Sequence, residues 1–415
     1  MPFFDPIRIG ASGAADTAYS VDRSLRFERA NNAQLTRTLS SAGNRQKWTW
    51  SGWVKISGNT GENFIFGAAP SGASGVDTYS IINFSANNFR FSVWTGTLRE
   101  STAVLRDPNA WYHLVVIFDS ANSTADDRCI LYINNERVTE LNTNATISQN
   151  FETAVNNNIE HQIGGSGGYS SQAFDGYMAE INFVEGQAYD PSYFGETNSD
   201  TGQWVPKKYT GSYGTNGFYL NFSDNSGTTA TTLGKDESGN SNNWTPSNLS
   251  VSADTGNSSV TDTPTNNFPV WNPLYPVQQT GGPTVYTYVN LRLATNTASP
   301  TAGQLYPFGF TSFGATSGKW YAEVKVNSSG AAVGIANNGQ LDSDVSSNPY
   351  GAYASTSFIW TNTGEIRTND GNLTGQASYT SGDIIGIAMD LDNLKLYMHK
   401  NGTYINSGNP SSGSN

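Results

Sequence analysis

The stretch Trp111-Tyr112-His113-Leu114-Val115-Val116-Ile117-Phe118 is apolar at nearly every position. A half-exposed strand or a surface helix leaves a polar stripe, whereas a strand covered on both faces does not. Eight residues are short for a buried helix and ordinary for a strand. Such a strand needs a layer on each side of it, which makes it the centre of a two-sheet β-sandwich. Neighbouring patterns agree. Trp48-Thr49-Trp50 alternates and Trp53-Val54-Lys55-Ile56 continues it. Cys129-Ile130-Leu131-Tyr132-Ile133 is followed by Asn134-Asn135, a pair able to take positive φ, and then by Glu136-Arg137-Val138, which predicts a hairpin. Phe174 to Phe183 closes the series, with Tyr177, Ala179, Ile181 and Phe183 expected on one face and Glu180 and Asn182 on the other.

Composition supports the same fold class. Charged residues make up 13%, and 43 Gly stand among many Asn, Ser and Thr, which compete with helical hydrogen bonding and favour turns. The 10 Trp, 21 Tyr and 20 Phe supply the apolar area that a 36% hydrophobic content would otherwise lack. The expected fold is all-β, with two tandem antiparallel β-sandwich domains joined by an irregular connector.

The pattern divides the chain into four segments. Residues 1–19 carry Phe3, Phe4, Ile7 and Ile9, with Pro2 and Pro6 favouring an extended chain, and predict an arm that docks on a partner. Residues 20–196 hold the first sandwich. Residues 197–280 are rich in Ser, Thr, Asn, Asp and Pro and predict a connector draped on its neighbours by Trp204, Trp244 and Trp271, with Gly217 to Phe222 as its one clear strand. From 281 the strand rhythm resumes, in Lys319 to Val326, Val333 to Ala336, Asp383 to Leu391 and Leu394 to Met398. The tail NSGNPSSGSN brings no closing strand, so this second sandwich reads as incomplete at Asn415 and the native chain is expected to continue.

A net charge of −12 and a pI near 4.7, without an acidic block, disfavour nucleic acid as a partner. No run reaches the roughly 18 apolar residues of a membrane span, so membrane insertion is not expected. The single cysteine, Cys129, permits no internal disulfide.

These residues carry a family likeness. Ser24-Leu25-Arg26-Phe27, Trp50-Ser51-Gly52-Trp53-Val54, Trp111-Tyr112-His113-Leu114, Leu131-Tyr132-Ile133-Asn134 and Phe174-Asp175-Gly176-Tyr177-Met178-Ala179-Glu180 resemble a laminin-G or concanavalin-like jelly roll over residues 24–195. Gly318 to Glu323, Val333 to Ala336, Gly382 to Asp390 and Leu396-Tyr397 resemble a SPRY domain over residues 284–415. The order of the two, with the connector Lys235-Asp236-Glu237-Ser238-Gly239-Asn240, is similar to virion structural and tail-fibre proteins of marine bacteriophages. That resemblance implies a phage virion component, made in the host cytoplasm and attached through Phe3, Phe4, Ile7 and Ile9. It implies recognition of host surface glycans or neighbouring virion proteins, and a homo-oligomer, most simply a trimer. A secreted bacterial lectin-like adhesin and a glucan-hydrolase-type enzyme are the alternatives.

Hydrolysis of glucans on a jelly roll requires two carboxylates on one strand face. The nearest match, Glu180-Ile181-Asn182-Phe183-Val184-Glu185, has Asn182 where an Asp is needed and Glu185 on the opposite face of a regular strand. It reads as a solvated strand edge, and no enzyme is expected. His113 reads as a satisfied sandwich histidine, His161 and His399 lie at strand ends, and Gly164 to Gly168 reads as a flexible loop. No cofactor is expected apart from Ca²⁺, for which Asp175, Asp224 with Asn225, and Asp236 with Asn240 are candidates, each equally readable as a turn former. Tyr79, Trp94 and Tyr169 are the loop aromatics available to stack on a glycan.

Overall fold

The structure is a computed structural model describing residues 19–57, 61–165, 172–199, 201–252, 257–268, 286–289, 292–295, 311, 314–326, 332–336, 357–368 and 371–414. The chain is all-β and divides into two compact units near residue 270. Among the described residues no helix is long and apolar enough to cross a membrane.

The first unit opens with β1 (Ser24–Phe27), β2 (Gln34–Thr38), β3 (Lys47–Ile56), β4 (Glu62–Ala68), β5 (Ser80–Ser85), β6 (Asn88–Val93) and β7 (Gly96–Val104). It continues with β8 (Trp111–Asp119), β9 (Cys129–Ile133), β10 (Glu136–Arg137), β11 (Leu141–Asn144), β12 (Glu160–Ile163) and β13 (Gly176–Glu185). Five short strands come next: β14 (Gly195–Thr197), β15 (Trp204–Pro206), β16 (Phe218–Leu220), β17 (Thr245–Ser247) and β18 (Ser259–Val260). One sheet runs β10-β9-β8-β3-β13-β1-β18, with β16 also on β13, and the other runs β11-β7-β6-β5-β4-β12-β2-β17.

The central strand is β8, as its apolar run predicts. It lies antiparallel between β3 and β9. Leu114, Val116 and Phe118 meet Trp48, Trp50 and Val54 of β3 and, from the facing sheet, Phe66, Ile82, Phe84, Phe89 and Phe91. Trp48 stacks on Phe118 at 5.5 Å and meets Phe91 edge-on at 5.4 Å. The outer face of this sheet is also covered: Trp53, Trp111, Tyr177 and Ala179 form one buried cluster, and Val184, Phe194, Tyr209, Tyr213 and Tyr219 another. This is why β8 lacks a polar face. The predicted hairpin forms at Asn134 and Asn135, with φ of 48° and 72°, the left-handed pair of a type I′ turn. Cys129 is buried, and burial pushes its thiol up to about 12, leaving it unreactive.

Two expectations are corrected. The segment predicted as a connector over 197–280 supplies three strands to the sandwich: β16 pairs with β13, β17 with β2 and β18 with β1. Phe218, Leu220, Phe222, Leu233 and Trp244 enter the main core. Trp244 is 1% exposed, its ring 4.9 Å from Phe218 and edge-on to it. Its amide donates to Gly234 O at 2.8 Å, an approach that a Cβ on Gly234, 1.7 Å from Trp244 O, would block. Asp262, just past β18, is fully buried against Lys55 of β3 at 2.8 Å, and Lys55 Nζ also donates to Asn267 Oδ1 and Phe268 O. Strands of two or three residues in polar surroundings show no periodicity, so sequence alone reads them as loop.

The second correction concerns β13. Tyr177 and Ala179 face outward, but Met178, Ile181 and Phe183 face the core. The change of parity occurs at Glu180, where φ is +50° and the register against β3 shifts between Ala179 and Asn182. This is a β-bulge, whose extra residue turns the rest of the strand over to the opposite face. On the strand's other edge, β1 pairs with Gly176 to Met178 before the bulge and β16 with Ile181 to Phe183 after it.

The second unit is described by β19 (Tyr286–Val289), β20 (Arg292–Thr295), β21 (Lys319–Lys325), β22 (Ala332–Ala336), β23 (Ser357–Thr361) and β24 (Ile366–Thr368). β25 (Gly371–Leu373), β26 (Ile384–Asp390), β27 (Lys395–Lys400) and β28 (Thr403–Tyr404) complete it. β19 and β20 pair with each other, and the rest form sheets β21-β26-β27-β28 and β22-β23-β24-β25. Trp360 and Tyr379 pack with Val326, Ile385, Ile387 and Met398 in a core drawn from both four-stranded sheets.

Candidate functional site

Tyr79 and Trp94 meet at one end of the β5–β6 hairpin. Trp94 N donates to Tyr79 O at 3.2 Å, extending the ladder one step beyond Ser80 and Val93. Their rings are edge-to-face at 6.0 Å. Tyr79 packs on Phe64, Ala69 and Ile81, a cluster separate from the main core, so it is anchored on the outer face of its sheet. Trp94 is 50% exposed and rests on that anchor. Strand alternation puts Ser92 and Arg90 on Trp94's face, opposite Ile81 and Asn83. Arg90 Nε donates to Asn83 Oδ1 at 3.1 Å and Arg90 Nη2 to Glu62 Oε2 at 2.5 Å, while Ser92 Oγ lies 3.1 Å from Thr97 Oγ1. At about 3.3 Å per residue the row from Trp94 to Arg90 is roughly 13 Å long. It presents an aromatic plate at one end and the partly exposed Arg90 guanidinium at the other, with Asn83 buried beneath it at 1% exposure. Tyr169, the third aromatic candidate, and Phe3, Phe4, Ile7 and Ile9 lie outside the described residues.

The acidic match behaves differently from its expectation. Glu180 is 4% exposed in the middle of the sheet, so the solvated-edge reading is corrected. Tyr19 Oη donates to Glu180 Oε2 at 2.7 Å, and Tyr219 Oη lies 2.9 and 2.8 Å from the two carboxylate oxygens. The carboxylate thus pins the gap between β1 and β16 that the bulge opens. Glu185 has the parity of Ile181 and Phe183, opposite to Glu180, and accepts from Asn44 N at 2.7 Å and Asn216 N at 2.8 Å. Asn182, which does share the Glu180 face, accepts from Tyr213 Oη at 2.8 Å. One carboxylate on that face does not make the acid and base pair of a glycosidase.

Burial pushes the Glu180 carboxyl up to about 7, against the favourable tyrosine hydrogen bonds. An unfolded glutamate releases its proton near pH 4.3, so between roughly pH 4.5 and 7 the folded state holds a proton that the unfolded state has lost. Stability therefore falls as pH rises through that window and levels off above it. Glu180→Gln should remove this loss, gaining on the order of 3 kcal/mol relative to wild type between pH 4.5 and 7.5. Urea titrations of both proteins across that range check it; a pH-independent difference contradicts it.

His113 and His161 are structural. Trp204 Nε1 donates to His113 Nδ1 at 3.0 Å, which leaves the proton on Nε2, 2.8 Å from Ser51 Oγ. Burial lowers His113 to about 3 and His161 to about 4, so both are neutral. His161 Nε2 accepts from Asn156 N at 2.9 Å.

The three aspartates proposed for calcium differ in how far their oxygens are engaged within the protein. Asp236 Oδ1 accepts from Tyr219 N and Ser238 N, and Oδ2 from Ser238 Oγ and Asn242 N, all within 2.9 Å. Asp224 Oδ1 takes both the amide and the hydroxyl of Ser226. Asp175 is pushed up to about 6 by burial, against the opposing charge of Arg29, and its Oδ1 is buried without a hydrogen-bond partner among the described residues. Among the described residues no three His, Cys, Asp or Glu side chains converge on a metal position.

Residues 28–190 match the concanavalin A-like lectin/glucanases superfamily. The first unit therefore carries a lectin-like jelly roll, and the match ends before β14 to β18. No curated protein matches the chain. Among solved structures, the heptameric SAP-like pentraxin from Limulus polyphemus is 14% identical, with 41% of this chain and 80% of that chain covered and a TM-score of 0.30. A putative carbohydrate binding protein from Bacteroides ovatus is 13% identical, with 55% and 58% covered and a TM-score of 0.32. Mouse laminin alpha1 chain domains LG4-5 are 9% identical, with 97% and 82% covered and a TM-score of 0.31.

Proposed function

We propose that the chain is a non-enzymatic carbohydrate-binding component of a phage virion, a tail-fibre or appendage protein whose first unit takes a host surface glycan along the Tyr79–Trp94 row. The observation that carries the reading is the exposed Trp94 ring, braced by Tyr79 and accompanied on the same face by the partly exposed Arg90 guanidinium. A pyranose offers an apolar C–H face to an aromatic plate and hydroxyls to a guanidinium. A few convergent polar groups beside an aromatic wall are what fix such a ligand's orientation. The sealed position of Glu180, with Asn182 rather than a second carboxylate beside it on that face, supports binding without hydrolysis. Placement on a virion rests on the resemblance in domain order, with residues 1–19 as the attachment arm and a trimer as the assembly.

The experiment is a glycan array probed with the full chain and with Trp94→Ala, beside a reducing-sugar assay on every polysaccharide that binds and gold labelling of purified particles. Expected are discrete glycan hits weakened by Trp94→Ala, no sugar release, and label on fibres. Hits indifferent to Trp94→Ala move the site elsewhere. Sugar release abolished by Glu180→Gln restores the hydrolase alternative, and label confined to a bacterial surface favours the secreted adhesin.

A further inference from the structure

The second unit holds a cleft that the Trp94 row leaves unused. Gly375 to Ala377, just past β25, face the β27–β28 hairpin across a space of about 410 Å³, walled by Gln376, Lys400, Thr403, Tyr404, Ile405 and Asn406. That volume falls within the range of small-ligand pockets. We propose that this cleft is a separate binding site for a neutral pyranoside, independent of the first unit's aromatic row.

Charge does not favour an anionic ligand. Lys400 is the ionised side chain of the wall, and it is already neutralised: its Nζ lies 3.2 Å from Asp383 Oδ2 and donates to Ser378 O at 2.8 Å. Asn401, which also lines the cleft, is likewise committed, accepting from Ile384 N at 2.8 Å and donating to Asp383 Oδ1 at 2.7 Å. The remaining wall is apolar or both donor and acceptor. Tyr404 and Ile405 are half-buried, and the Tyr404 ring is held edge-on to His399 at 5.0 Å. His399 is itself fixed by Gly402 N at 3.0 Å and Tyr321 Oη at 2.7 Å, so the tyrosine wall has one orientation.

Gln376 and Thr403 each carry a donor and an acceptor. Sugar hydroxyls match that set, because each donates and accepts, whereas a carboxylate or phosphate uses donors alone.

The test uses the full chain carrying Tyr79→Ala and Trp94→Ala, which removes the first unit's aromatic row. Saturation-transfer NMR is recorded with the methyl pyranosides of glucose, galactose and mannose, and with N-acetylneuraminic acid as the charged counterpart. Transfer is expected to at least one neutral pyranoside and not to the acid. Adding Gln376→Ala or Thr403→Ala, both at the surface and outside the core, should reduce it about fivefold or more, the effect of a lost hydrogen bond. Absence of transfer to every neutral pyranoside, equal transfer to the acid, or transfer unchanged by both added substitutions overturns the proposal. Because the first row is absent from this protein, the cleft stands or falls without reference to it.

Discussion

Asp262→Ala should destabilise the first unit by about 3–5 kcal/mol, the usual consequence of removing one partner of a buried ion pair. Both Lys55 and Asp262 are 0% exposed. Without the carboxylate, the Lys55 ammonium keeps Asn267 Oδ1, Phe268 O and the Tyr177 ring at 5.7 Å, and Trp111 Nε1 and Phe268 N lose the acceptor they share at 3.1 and 3.2 Å. Burial already lowers the Lys55 pKa against the pull of Asp262, so the lysine in the variant would shed its proton in preference to remaining charged. The double substitution Lys55→Met with Asp262→Leu should recover much of the loss, since an apolar pair replaces a buried ion pair at little cost. Hydrogen exchange of β3 and β13 during urea titration reads the first unit without interference from the second. A loss below about 1 kcal/mol, the level of a surface ion pair, would mean that residues 258–268 do not seal the sheet.

Trp244→Ala should cost a comparable 3–5 kcal/mol or so, the range for deleting a large buried aromatic. The indole lies within the core against Phe218 and Phe66, at 4.9 and 6.3 Å, and truncation leaves a void between the sheets. Its size tests a specific point. Trp244 lies 54 residues beyond the end of the superfamily match at 190. If 204–268 merely draped over the sandwich, Trp244→Ala would leave exchange in β2, β4 and β13 unchanged. As part of the core it should accelerate exchange in all three.

Local periodicity decided how much of this was legible in the sequence. β8, β3 and the Asn134-Asn135 hairpin could be read because their signals lie within ten residues. The outward direction of Trp94 was equally legible, since Asn88, Arg90, Ser92 and Trp94 alternate with Phe89, Phe91 and Val93. The same alternation pointed to Arg90 as its neighbour on that face, a signal carried by strand parity and invisible to a choice of candidates by aromatic type alone. The bulge was not legible, because glutamate gives no sign that it will adopt a positive φ and reverse the parity of β13. The Tyr19–Glu180–Tyr219 contact and the Lys55–Asp262 pair join residues up to 207 positions apart, and no local pattern announces such a partner. Calcium looked open at Asp236 for a related reason: the Asp and Asn that suit a hard cation also make the turns that consume their oxygens.

Whether Trp94 is a binding residue decides the functional reading, and isothermal titration of the strongest array glycan into the full chain measures that directly. Trp94→Ala should weaken binding about tenfold or more, as expected for removing an aromatic anchor, while Trp94→Phe, which keeps a ring on the Tyr79 base, should stay within about threefold of wild type. Wild-type affinity in Trp94→Ala, with the fold intact by hydrogen exchange, would contradict it.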